Sequence, residues 1–190
     1  MRNYKIFDKF VPVSTNGGLN LYIGNNPQAN GSYWWPEGVY DEKHLNEAEK
    51  SSKYRKLAIN YMISHPIRTI KLSAKKLFLM FITDSAGIHW AQKTTYENLS
   101  PKTMLILFLW TQINYIIFMV LSIFGIIKVF RMKKANLNLY FVLSIIIYLI
   151  LIYSLFFGYP RFRFPIMPLL SIFSAIGLYK SIPLLKIKSC

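Results

Sequence analysis

The amino-acid sequence predicts a mainly α, integral membrane protein. About three transmembrane helices are preceded by an extracytoplasmic and interfacial segment with an Asn/Gly-rich loop and amphipathic helices. Three observations predict this. Hydrophobic residues make up 53% of the 190 residues. Residues 1–102 hold all eight carboxylates and 14 of the 23 Lys and Arg, whereas residues 103–190 hold nine basic residues and no acid. That second part also contains two uncharged runs, 25 and 26 residues long. Charge and hydropathy therefore divide a first domain, 1–102, from a membrane domain, 103–190.

The first run lies between Lys102 and Lys128 and predicts a helix at about 103–127. At 1.5 Å per residue, 25 helical residues span about 37 Å, enough for the roughly 30 Å hydrocarbon layer of a bilayer. The second lies between Lys134 and Arg161 and predicts a helix at about 136–159. A third is expected at about 164–185. It opens on FPIMP, where Pro165 and Pro168 suit a first helical turn. Lys180 interrupts it, and a snorkelling lysine lets the span continue to Leu185.

Orientation follows from loop charge. Lys128, Arg131, Lys133 and Lys134 crowd the link after the first helix, and Lys180, Lys186 and Lys188 lie at the end of the chain. Under the positive-inside rule both are cytoplasmic, which places residues 1–102 and the link 159–163 on the outer face of a multi-pass plasma membrane protein. Excess basic charge also suits nucleic acid, but here it collects at the ends of apolar runs, and no nucleic-acid partner is expected.

Within the first domain, STNGGLNLYIGNNPQANGSYWWPEG is dense in Asn, Gly and Pro. It predicts an irregular loop with turn and φ > 0 positions and one short strand at Leu19–Ile23. A helix of about 20 residues is expected next, ending before Pro66, with Leu57, Tyr61 and Met62 on one face. Asp41, Glu42, Glu47 and Glu49 fit a solvated helix start better than an acid/base pair. From Pro66, the residues Ile67, Ile70, Ala74, Leu77 and Phe81 recur at helical spacing, with Arg68, Lys71, Lys75 and Lys76 among them. That pattern reads as a basic amphipathic helix in the membrane interface, or else as a surface helix. Trp90 and Trp110 suit an interfacial belt or a core.

Signatures of soluble enzymes are missing: the sequence contains no Walker loop, no GxGxxG and no HExxH. Cys190 is the lone cysteine, His44, His65 and His89 are scattered, and no metal site or cofactor is expected. Residues 2–9 alternate charged or polar with apolar residues and form no signal-peptide core. Export of the first domain then implies further transmembrane helices ahead of residue 1.

Two stretches carry a family resemblance. The first contains Asn16, Gly17, Gly18, Asn20, Leu21, Gly24, Asn25, Asn26, Pro27, Ala29 and Gly31, in the pattern NGG-x-NL-x-x-GNNP-x-A-x-G. The second is RFRFPIMPLLSIFSAIGL, beginning at Arg161. Together they resemble the C-terminal part of GT-C glycosyltransferases, in the branch of bacterial relatives of protein O-mannosyltransferases and the lipid A aminoarabinose transferase. RNYKIFDKFVPVS, at residues 2–14, resembles the segment just upstream of the first pattern. The resemblance implies a multi-helix membrane enzyme that moves a sugar from a polyprenyl-phosphate carrier to an extracytoplasmic acceptor. The family's catalytic acid lies in a first extracytoplasmic loop with no counterpart here. No catalytic residue is therefore carried over, and a chain inactive alone, or completed by a separate chain supplying that half, is expected.

Arg161 and Arg163 are the candidate carrier-phosphate ligands. In an extended link, side chains at i and i+2 face one way and can grip one anion, whereas in a helix they diverge. Guanidinium matches phosphate oxygens in a planar fork, and headgroup snorkelling is the competing role. Asn25 and Asn26 are weaker candidates for contacts to sugar hydroxyls, with turn formation as their alternative. The rival to the enzyme is a small non-enzymatic accessory protein that binds anionic membrane lipid through the same basic residues.

Overall fold

The computed structural model describes residues 14–37, 39, 45–84, 87–88, 100–132 and 137–179. Among them are six α-helices and no strand: α1 (Asn16–Gly24), α2 (Glu47–Ser64), α3 (Pro66–Phe81), α4 (Pro101–Arg131), α5 (Leu137–Leu155) and α6 (Met167–Tyr179). One turn of 3-10 helix, Pro160–Arg163, precedes α6. The chain forms two compact units. One comprises residues up to Met80 together with Leu151–Tyr159, and the other Phe81–Ile150 with the residues from Pro160 onward. Compactness thus divides the chain differently from the charge boundary at 102/103.

In the first unit the Asn/Gly-rich stretch is not a strand. Residues 19–23 lie within α1, which packs on α2. Gly18 and Tyr22, four apart, face that helix. A Cβ on Gly18 would meet the Ser51 carbonyl at 1.8 Å, and the rings of Tyr22 and Tyr54 stand 5.0 Å apart. Helical packing decides the conformation here, because the missing side chain of Gly18 lets one backbone lie against another. Among the described glycines only Gly31 has a positive φ, 90°. Gly18 and Gly24 therefore serve close backbone approach, and Gly31 a left-handed turn.

Helix α2 starts on a capping box. The Asn46 side chain accepts from the Glu49 N–H at 2.9 Å, and the Glu49 carboxylate accepts from the Asn46 N–H at 3.2 Å. Glu47 and Glu49 therefore sit in its first turn, where acids oppose the positive end of the helix dipole. Asp41 and Glu42 lie outside the described residues. The helix ends at Ser64 because His65 precedes a proline and leaves the helical region. Pro66 then opens α3 at the first helical position, where its missing N–H costs nothing. The buried face of α2 carries Tyr54, Ala58 and Tyr61; Leu57 is exposed, so only Tyr61 of the expected set is buried.

Helix α3 buries a face other than the Ile67–Ile70–Ala74 stripe. Leu72, Lys76 and Met80 are buried, while Ile67, Ile70 and Phe78 are exposed.

In the second unit α4 starts on Ser100, whose hydroxyl accepts from the Thr103 N–H at 3.2 Å, with Pro101 next. It ends with Lys128 and Arg131 in its last turn, favourable at the negative end of the dipole. Its partner is α6. A Cβ on Gly125 would lie 1.8 Å from the Phe173 carbonyl, and one on Gly177 would lie 2.2 Å from that of Leu121. The Ser122 hydroxyl donates to the Leu170 carbonyl at 3.2 Å. Small residues thus bring the two backbones together, the arrangement that favours helix association where hydrophobic burial gives little drive.

Helices α4 and α5 are long and apolar enough to cross a membrane, and most of each apolar stretch is exposed. Trp110, on α4, is exposed. Helix α5 stops at Leu155, short of the expected 159, because Gly158 and the residue before Pro160 disfavour continuation. Helix α6 has 13 residues, about 20 Å, which is less than a bilayer's hydrocarbon thickness. Residues 180–185 of the expected third span lie outside the described residues, as do residues 2–13, Trp90, Lys133, Lys134 and the basic residues beyond 179.

Closeness at Gly125 is testable. Gly125→Ala should destabilise the detergent-solubilised protein by about 1–3 kcal/mol, because the added methyl meets backbone. Gly17→Ala, in the same kind of helical backbone but at an open site, should leave the thermal unfolding midpoint unchanged or slightly raised.

Candidate functional site

The link carrying Arg161 and Arg163 is a 3-10 turn, not an extended strand. With three residues per turn, side chains two apart diverge, so the two arginines do not present one grip. Arg161 is exposed, whereas Arg163 is 2% exposed. The guanidinium of Arg163 donates to the Thr83 carbonyl at 2.7 Å and forms an ion pair with Asp84. Its centre lies 4.2 Å from the centroid of the Tyr115 ring, a cation–π contact.

The segment after α3 that receives Arg163 is held from α4 as well. Tyr115 donates its hydroxyl proton to the Phe81 carbonyl at 2.8 Å. The Gln112 side-chain oxygen accepts from the Asp84 N–H at 3.1 Å and the Thr83 hydroxyl at 3.2 Å. Arg163 is therefore a buried cation whose partners come from Thr83, Asp84 and Tyr115. Asp84 keeps 48% of its side-chain surface exposed.

Asn25 and Asn26 are buried at the end of α1. The Asn25 amide donates to the Leu21 carbonyl at 2.8 Å and to the Leu155 carbonyl at 2.6 Å. Its oxygen accepts from the Lys76 amine at 2.9 Å. The Asn26 amide donates to the carbonyls of Tyr22 and Ile23, and its oxygen accepts from the Gln28 N–H at 2.7 Å. Both side chains satisfy α1 carbonyls that have no helical partner, and Asn25 adds a long-range clamp on the end of α5.

Lys76, 1% exposed, completes that clamp, reaching the Leu155 carbonyl at 3.4 Å as well as Asn25. Burial lowers its pKa from an ordinary 10.5 to about 8. Close by, a Cβ on Gly24 would lie 1.7 Å from the Phe156 carbonyl, and the Gly158 N–H donates to the Gly31 carbonyl at 2.7 Å. The Asn/Gly-rich motif is thus closed on residues 155–158.

Sequence reasoning missed Lys76, Asp84 and Tyr115. Signals for two of them were present. Lys76 stands four residues from both Leu72 and Met80, in phase with them, and Asp84 is the lone acid between Glu49 and Glu97.

Two outcomes follow from these contacts. Asp84→Ala should cost about 1–3 kcal/mol, since the buried guanidinium loses its counter-charge but keeps the Thr83 carbonyl and the Tyr115 ring. The double variant Arg163→Leu/Asp84→Ala should recover part of that loss in the same detergent unfolding measurement. For Lys76, the folded amine releases its proton near pH 8 while the unfolded chain holds one until about 10.5. The unfolded state binds more protons in that window, so stability should rise as pH increases from 8 to 10.5. Thermal unfolding across this range should show the rise, and Lys76→Met should flatten it.

Comparisons of the chain with protein-family models, with curated proteins and with solved structures found no match.

Proposed function

We propose that this chain is the C-terminal part of a GT-C-like glycosyltransferase. In this reading it sits in the plasma membrane through three spans, with the Asn/Gly motif and the RFRFP link on the outer face. The enzyme transfers a sugar from a polyprenyl-phosphate carrier to an extracytoplasmic acceptor, and the acid that acts on the sugar comes from an N-terminal half or a partner chain.

One observation carries the reading. The first family-like stretch is closed on the residues that lead, in sequence, into RFRFP: Asn25 and Lys76 both donate to the Leu155 carbonyl, and the Gly158 N–H donates to the Gly31 carbonyl. The division of labour between the arginines narrows the site. Arg163 supports the link through Asp84, and Arg161, exposed beside it, is the residue proposed to meet the carrier phosphate.

The reading as a non-enzymatic, anionic-lipid-binding accessory protein is favoured by one feature, the exposed apolar and basic sides of α3. Binding of a labelled short-chain polyprenyl phosphate to the purified full chain in nanodiscs separates the two. Arg161→Ala should weaken binding about 10- to 100-fold, as expected for loss of hydrogen bonds to a charged group, with the unfolding midpoint unchanged. Unaltered binding would remove Arg161 from the carrier site. Full displacement by phosphatidylglycerol would favour the accessory protein.

A further inference from the structure

Helix α3 has a lysine at the centre of its buried face and isoleucines on the opposite face. At 100° per residue, Leu72 and Met80 flank Lys76 on the inner side. Ile67, Ile70, Ala74 and Phe78 run along the outer side, where Ile67 is 71% exposed, Ile70 70% and Phe78 62%. Ile59 and Ile63 of α2 are exposed as well.

Basic residues border the stripe on one side only. Arg68, Lys71 and Lys75 are exposed along that flank, and α3 contains no Asp or Glu. At the α2–α3 junction, Ser64, His65, Pro66, Ile67, Arg68 and Lys71 line an open groove of about 500 Å³. The positive end of the α3 dipole points there. A row of apolar side chains in water is unfavourable, and a one-signed flank selects an anionic neighbour.

We infer that the outer side of α3 docks on an anionic phospholipid surface. The stripe lies at the acyl boundary and Lys71 and Lys75 meet the phosphodiesters, with Arg68 beside them donating one N–H to the Pro27 carbonyl. Three features favour lipid over a folded protein partner. The α3 stripe is unbroken by polar groups, the cations sit on long stems that reach back to a headgroup layer, and the same chain carries two helices apolar enough to cross a bilayer. The inference does not depend on sugar transfer.

The test uses the full chain in proteoliposomes, with Cys190→Ser as background and single spin labels at positions 67, 70 and 78. Lys53, exposed on another side of α2, serves as the reference. In vesicles of phosphatidylcholine with phosphatidylglycerol, the three labels should be open to oxygen. They should also be protected from a water-soluble nickel chelate on the order of fivefold relative to position 53. Protection should fall toward the reference in pure phosphatidylcholine and in the Arg68→Gln/Lys71→Gln/Lys75→Gln variant. Three results would overturn the inference: labels as open to the chelate as position 53, labels shielded from both reagents as a protein contact would shield them, or protection indifferent to lipid charge and to the triple variant.

Discussion

A few polar groups of this protein are turned inward, and much of its apolar surface is turned outward. Lys76, Arg163, Asn25 and Asn26 are buried while long rows of Ile, Leu and Phe are exposed. A buried cation or amide is tolerated only when its hydrogen bonds are met. In both units that requirement selects the same kind of acceptor: carbonyls near helix ends, which have no partner within their own helix. Asn25 and Lys76 serve the end of α5, Asn26 the end of α1, and Arg163 the residues just past α3. Beside the Asn25–Lys76 clamp, the contact of Gly24 on Phe156 brings backbone against backbone.

The parts of the fold legible in the sequence were those written in local chemistry. The acids and the proline around α2, the apolar run of α4 and the spacing of α3 each act within a few residues, and each led to a helix. What could not be read was decided by partners far along the chain. Residues 19–23 have no strong preference, and contact with α2 made them helical. The inward face of α3 was hidden because an apolar stripe signals only that one side avoids water, not whether protein or something else covers it.

The candidate site divided along the same line. That RFRFP mattered was legible, since two arginines beside apolar runs need a reason. Their separate tasks were not, because they depend on a 3-10 turn and on Asp84, almost eighty residues earlier. Asn25 and Asn26 were visible as unusual polar residues in a glycine-rich stretch. Their burial could not be seen until the carbonyl of Leu155 was known to lie within reach.

That carbonyl has a bearing on how the protein is made. Its two side-chain donors come from residues 25 and 76, and the segment they hold is residues 155–158. During synthesis the first unit has every element of its N-terminal portion long before its last piece leaves the ribosome. Until then Lys76 and Asn25 lack one of their acceptors, and Gly24 and Gly18 differ: Gly18 can already pack on α2, whereas Gly24 waits for Phe156. Assembly is thus ordered by sequence distance, with α1 and α2 forming a local pair first and the clamp closing late.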